Sequence, residues 1–265
     1  MSLPAATLPI QAIPCLTDNL SYLLQWQNKA FIVDVPEAKP VLAALQKSGK
    51  PLAGIFITHG HWDHIHGLND LMRHHNCPVY GMPHDAYPIP ALTHPQHQDC
   101  TLETHGLIAD IKVTPGHMPA HLSYYFPQLQ ALFSGDVLFS LGCGKVFDGT
   151  HKELHDSLQK LICLPPETTL YPGHAYTLSN GKFIASLLSC DALGLPPLPG
   201  LDAYLQTVKT AWEKKDWSGT STLALEKQLN PFLRCEELAS ALGMQQAPAH
   251  KVFKALRTRK DAFTE

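Results

Sequence analysis

THGHWDH, residues 58–64, closes the apolar run LAGIFIT and opens an amphipathic stretch, so three histidines and one aspartate crowd a single turn of chain. In an extended segment side chains alternate between faces, so His59 and His61 point the same way and can grip one cation. Asp63 and His64 then face a different direction. Four groups from one turn cannot easily surround one ion and leave room for water, so the spacing suits two adjacent metal sites better than one.

Three further turns repeat the theme. In TPGH (114–117) a Pro115–Gly116 turn holds His117 at the end of the strand IKVTP, and in YPGH (171–174) the same device presents His174. FSGD (133–136) puts Asp136 after an apolar strand and after Gly135, which lets the backbone come close, so this carboxylate could bridge two cations. Any one of these residues alone reads as a surface or hydrogen-bonded core group. Together they set five histidines and two aspartates at or just beyond the ends of strands, where rigid sites are normally built.

The rest of the chain supports an α/β fold. LSYLLQW around Ser21 and KAFIVDV from Lys29 read as a hairpin turning at Gln27 and Asn28. Apolar positions at helical spacing over residues 39–47 stop at Gly49, before the strand LAGIFIT. An amphipathic stretch over 63–75 follows, then strands at CPVYGM, IKVTP, HLSYYF and QALFSGD, a helix over 152–161 and a strand at TTLYPGH, the pattern of a sheet sandwich covered by helices. Beyond the proline-rich DALGLPPLPG (191–200), helical patterns cover 201–214, 223–229, 236–242 and 251–257, so the expectation is a metal-binding unit over 1–178 and a helical unit over 179–265. Residues 82–100, with four prolines and three histidines, show no period and read as a loop.

Composition narrows the setting. A chain of 265 residues with 45% hydrophobic content can bury a sizeable core. MSLPAATLPIQAIPCL lacks a basic segment followed by a long apolar one, and no later apolar run approaches a membrane span, so no export and no membrane partner are expected. Seven cysteines without a CxxC pair suit a reducing cytoplasm, and a formal charge of −3 argues against nucleic acid as the partner.

The ordered set THGHWDH, TPGH, FSGD and YPGH resembles the metallo-β-lactamase superfamily, whose pattern is THxHxDH followed by histidine, aspartate and histidine. By that resemblance His59, His61 and His117 hold one metal, Asp63, His64 and His174 hold the other, and Asp136 bridges them. GCGKVFDGT (142–150), HAYTLSNGKF (174–183), LNPFLR and LRTRKDAF resemble segments of one branch, glyoxalase II, over essentially the whole chain. The resemblance implies an αββα sandwich with a C-terminal helical domain, and a monomer that hydrolyses S-D-lactoylglutathione and related S-2-hydroxyacylglutathiones. It implies two divalent ions, zinc in the first place with iron and manganese as alternatives. It also implies that Asp63 orients the attacking hydroxide, and that Lys145, Phe147, Tyr176, Arg257 and Lys260 line the glutathione site. Arg and Lys donors suit the two carboxylates of glutathione. Cys143, between two glycines, reads as a turn that positions Lys145.

Five positions depart from the branch: Gly60 for a histidine, His66 for a glycine, Met118 for a threonine, Phe147 for a frequent tyrosine and Ala175 for a glutamate. The competing readings are a lactonase, another thioesterase, a β-lactamase, a persulfide dioxygenase or a nuclease of the same fold, and a noncatalytic glutathione- or metal-binding module.

Overall fold

The computed structural model describes residues 9–190, 195, 197–217 and 221–264. The expectations attached to residues 1–8, and to 191–194 and 196 of the proline-rich stretch, lie outside them.

The chain opens with three antiparallel strands, β1 (Ile10–Cys15), β2 (Asn19–Trp26) and β3 (Lys29–Val33), the last two turning at Gln27, which adopts a positive φ of 51°. Helix α1 (Ala38–Ser48) ends at Gly49 in the left-handed region, φ 65°, where a residue without Cβ is favoured. Strand β4 (Leu52–Phe56) then lies parallel to β3. The amphipathic stretch after it forms two short helices, α2 (Trp62–Ile65) and α3 (Leu68–Met72). Gly67 separates them because its backbone is pressed against residues 37 and 38: a Cβ there would lie 2.8 Å from Glu37 Cα. Val35 N donates to His64 O at 2.8 Å and Gly67 N to Val35 O at 2.9 Å, so α2 is pinned to the end of β3.

Two short strands, β5 (Val79–Gly81) and β6 (His94–Pro95), complete the first six-stranded sheet, in the order β1-β2-β3-β4-β5-β6. The second sheet is built from β7 (Cys100–Thr104), β8 (Leu107–Val113), β9 (Leu122–Phe126) and β10 (Ala131–Gly135). A small hairpin, β11 (Leu138–Phe139) and β12 (Gly142–Cys143), precedes α4 (His151–Ile162), whose start is held by a Thr150–Glu153 capping box. Strand β13 (Thr169–Pro172) runs parallel to β10, and α5 (Thr177–Leu188) and α6 (Leu201–Glu213) follow. Strand β14 (Ser221–Thr222) pairs with β13, so the segment read as wholly helical lends a strand to the second sheet, ordered β14-β13-β10-β9-β8-β7. Helices α7 (Leu223–Leu229), α8 (Cys235–Leu238) and α9 (Ala249–Ala262) end the fold.

The sheets enclose a core of Tyr22, Phe31, Phe56, Tyr124, Phe126 and Phe133, with Phe56 edge-on to Phe126 at 5.3 Å and Phe126 edge-on to Phe133 at 5.6 Å. Val41, Leu45, Leu68 and Leu71 cover the outer face of the first sheet, and Leu154, Leu158, Phe183, Phe253 and Leu256 that of the second. The result is an αββα sandwich, as the resemblance implies. No helix among the described residues is long and apolar enough to cross a membrane.

Candidate active site

The donors sit just beyond four strand ends: His59, His61, Asp63 and His64 after β4, His117 after β8, Asp136 after β10 and His174 after β13. Glycines make the crowding possible. A Cβ on Gly135 would lie 2.6 Å from His121 Nε2, and one on Gly173 2.7 Å from His64 Cε1. Gly116, at φ +127°, would bring a Cβ to 2.6 Å from Leu154 Cβ.

All seven anticipated side chains meet. His61 Nδ1 lies 3.0 Å from both His59 Nε2 and His117 Nε2, so three imidazole nitrogens face one point. Opposite, His174 Nε2 is 3.4 Å and His64 Nε2 3.9 Å from Asp63 Oδ2. Asp136 stands between the groups, Oδ1 at 3.4 Å from His64 Nε2, Oδ2 at 3.3 Å from His174 Nε2 and 3.6 Å from His117 Nε2.

Three of the rings are oriented through their other nitrogen. His64 Nδ1 bonds Asp34 Oδ2 at 2.8 Å, His174 Nδ1 bonds Asp18 Oδ1 at 2.8 Å, and His117 Nδ1 donates to Lys145 O at 2.8 Å. Asn19 Nδ2 donates to Asp63 Oδ2 at 2.9 Å. Buried His121 accepts from Asp136 N at 3.1 Å through Nε2 and bonds Thr114 Oγ1 at 2.9 Å through Nδ1. Such partners fix tautomer and ring direction at metal sites. The sequence reading missed Asp18, Asn19, Asp34 and His121. Asp34 carried a signal, since it ends the apolar run FIVD as Asp136 ends FSGD.

The electrostatics fit a cation. Burial takes His59 well below its ordinary pKa and, with the neighbouring His117, brings His61 down to about 4. Burial also opposes a charge on His64 and His174, yet Asp136 and Asp34 hold His64 at about 10, and Asp136 with Asp63 and Asp18 hold His174 at about 11. Asp63 and Asp136 stay below the usual carboxylate range despite burial, because His174 and His64 face them. Among the described residues the buried His64 Nε2 and Asp136 Oδ1 find no hydrogen-bond partner and only face each other at 3.4 Å, which in a packed interior calls for another ligand. Three imidazoles kept neutral by burial, two more held by carboxylates that a cation would share, and donor atoms that converge within 4.8 Å in each group make a divalent-metal site.

The other anticipated residues lie around it. Tyr176 stacks on His174 at 4.7 Å, and exposed Phe147 stands edge-on to His61 at 5.5 Å and His117 at 5.2 Å. Lys145 Nζ lies 5.6 Å over the Phe147 ring, and Lys260 Nζ 5.4 Å from that of Phe183. Arg257 is buried, its guanidinium engaged by Cys143 O and by Asp261. Burial pushes the Cys143 thiol up to about 11 against the pull of Arg257, so it stays protonated at neutral pH. The glycines of GCGK are packing positions: a Cβ on Gly142 would come 2.7 Å from Asn180 Cγ, and one on Gly144 3.3 Å from His117 Nδ1. His66 lies outside the donor groups, exposed, with its ring 4.6 Å from that of Trp62.

A sandwich with this donor edge defines a metal hydrolase fold, and the family model described as "Metallo-beta-lactamase superfamily" matches residues 18–174. The chain belongs to that superfamily. A second model, "Hydroxyacylglutathione hydrolase C-terminus", matches residues 175–263. A hydroxyacylglutathione hydrolase of Rhodopseudomonas palustris is 41% identical over 95% of this chain and 98% of its own length. Within the superfamily the chain is a member of the hydroxyacylglutathione hydrolase family. Among solved structures, the BLEG-1 B3 metallo-beta-lactamase covers 84% of this chain and 99% of its own at 23% identity and a TM-score of 0.63, a likeness of fold alone. TTHA1623, crystallised in a di-iron-bound form, covers 62% of this chain and 90% of its own at 29% identity and a TM-score of 0.54.

Proposed function

We propose that this protein is a metal-dependent thioester hydrolase that converts S-D-lactoylglutathione and related S-2-hydroxyacylglutathiones to glutathione and the free hydroxy acid. The observation that carries the reading is the similarity to hydroxyacylglutathione hydrolases over 95% of the chain, joined to a donor edge with no position lost.

Two ions fit the donors, one at His59, His61 and His117, the other at Asp63, His64 and His174, with Asp136 shared. Zinc, iron and manganese all accept such ligands, and zinc is the first expectation. When bound, a pair of divalent ions supplies a water acidified towards neutrality and a Lewis acid for the carbonyl. Asp63, held by Asn19, orients the attacking water by accepting its hydrogen bond. The water oxygen adds to the thioester carbon as its O–H bond breaks, the carbon–sulfur bond breaks, and the glutathione sulfur leaves and takes up that proton to give the thiol and the free acid. Tyr176 and Phe147 flank the approach, Lys145 and Lys260 offer the positive charge that two carboxylates require, and Arg257, buried against Cys143 O and Asp261, serves the glutathione site by holding the chain that leads to Lys145. No side chain serves as nucleophile, and the protonated Cys143 thiol supports that. The reading takes the chain as a monomer, and its compartment as a reducing one, which its seven free cysteines suit.

The test is hydrolysis of S-D-lactoylglutathione, followed through thioester absorbance, with metal content determined on the same sample. Turnover with two metals per chain, lost in His59→Ala, is expected. No turnover at full metal occupancy would redirect the search to other thioesters and lactones.

A further inference from the structure

One side of the entrance is built by a segment that the reaction as described does not use. Residues 82–92 leave β5, and buried Ile89 packs with Leu92 into the core under the first sheet. Tyr87, at the free end, is fixed at three points. Its backbone lies against Gly60, where a Cβ would stand 3.0 Å from Tyr87 Cβ and closer still to its carbonyl oxygen. Its ring meets His61 edge-to-face at 5.3 Å and stacks on His84 at 5.6 Å. Its hydroxyl donates to the Asp148 carboxylate.

These contacts join two walls. Asp148 lies on the exposed loop that carries Lys145 and Phe147, and Phe147 also leans on His61. His61 and Asp63 are the two metal donors that are not buried, so the approach to the metals runs past His61. Of the cationic groups suited to glutathione carboxylates, Lys260 lies on α9 and Lys145 Nζ sits 5.6 Å over the Phe147 ring, whereas residues 82–92 carry no Lys or Arg. The Tyr87 side is therefore left to the acyl group.

We propose that Tyr87, latched to Asp148, is a specificity-determining residue that walls the His61 side of the entrance and limits the bulk of the acyl group. The proposal rests on the thioesterase reading above. A neutral ring and a hydroxyl already committed to Asp148 accept a short 2-hydroxyacyl chain and exclude a bulky aromatic one. Gly60 belongs to the same device, since only a residue without a side chain lets Tyr87 close on the metal-binding turn.

The experiment compares kcat/KM for S-D-lactoylglutathione and S-D-mandeloylglutathione in the metal-loaded wild type, Tyr87→Phe, Tyr87→Ala and Asp148→Ala, with metal content measured on each. Tyr87→Ala is expected to raise the mandeloyl-to-lactoyl ratio by about tenfold, the scale of a small steric change in a pocket. Tyr87→Phe and Asp148→Ala shift the ratio less and alike, and combining the two in one chain, measured alongside, adds nothing, because both break one bond. An unchanged ratio in Tyr87→Ala, or equal losses on both substrates, overturns the wall. A fully loaded wild type that hydrolyses neither thioester overturns the thioesterase reading, and the wall with it.

Discussion

Arg257 Nη1 donates to the carbonyl oxygen of Cys143 at 3.0 Å, tying the last helix to the hairpin two residues ahead of Lys145. It does not act alone. Asn180 donates to Ser140 O at 3.0 Å, Asn230 to Gly142 O at 3.0 Å and Phe139 O at 3.3 Å, and Glu226 accepts from Leu141 N at 2.8 Å. The helical region thus grips the backbone of residues 139–143. That hairpin starts just after Asp136 and ends two residues before Lys145, whose carbonyl holds His117. The same polar contacts therefore set the metal edge and the substrate edge together.

For Arg257 this gives a prediction that separates positioning from charge. Lysine keeps the charge but cannot donate to both Cys143 O and Asp261 in the forked geometry of a guanidinium. Arg257→Lys and Arg257→Ala are both expected to raise KM for the lactoyl thioester, and to cost on the order of 1–3 kcal/mol of stability, the scale of a buried polar group left unpaired. Steady-state kinetics and denaturant unfolding of both variants check this. A lysine variant with wild-type KM would mean that charge alone matters.

Metal content discriminates among the donors. His59→Ala and His174→Ala each remove a ligand from a different group, so each is expected to retain about half the metal, whereas Asp136→Ala, which faces both groups, loses more than either. Asp34→Asn keeps every donor but weakens the anchor of His64, and is expected to lower metal affinity about 10–100-fold, as outer partners of ligating histidines do. Titration with a competing chelator measures all four. Equal metal retention in Asp34→Asn and wild type would remove Asp34 from the account.

Glu226 makes stability depend on pH in a definite direction. Burial raises its carboxyl above the ordinary 4.5, against the hydrogen bonds from Ser221, Asn230, Leu141 N and Ser140 that lower it. A group raised in the folded chain contributes stability that is fully present below its unfolded pKa and lost as pH rises through the folded one. The stability of the wild type relative to Glu226→Gln, which does not titrate, should therefore fall as pH climbs from about 4.5 and level off once the folded group has ionised. Urea unfolding across that range tests it, and parallel curves would contradict it.

What the sequence made legible and what it hid differ in kind. The seven donors could be found because each stands beside a strand end, most with a glycine next to it, and both signals are local. Asp18, Asn19, Asp34 and His121 escaped because their partners lie at contacts such as Asn19–Asp63 and Asp34–His64, which no spacing reveals. Among strands, β1 was missed because Gln11 and Ala12 in succession break its alternation, β7 because its mixed polar residues are only half-buried, and β6, β11, β12 and β14 because two residues carry no period. The break between α2 and α3 was hidden because it arises from the approach of residues 37 and 38 to Gly67, a tertiary contact. Residues 82–100 read correctly as mostly irregular chain, yet nothing local said that Tyr87 lands on Gly60.

That last contact explains a departure the sequence only recorded. Gly60 has no positive φ, so backbone freedom is not its reason; the reason is space, because Tyr87 occupies the volume a side chain would need. Gly60→Ala should force the 82–92 segment outward and cost about 1–3 kcal/mol, the scale of overpacking in a filled site. The obstruction is backbone and Cβ, so truncating the Tyr87 ring should not relieve it. In a double-mutant cycle Gly60→Ala and Tyr87→Ala should therefore add in unfolding free energy. A strong positive coupling would mean that the phenol ring, not the chain behind it, fills the space beside Gly60.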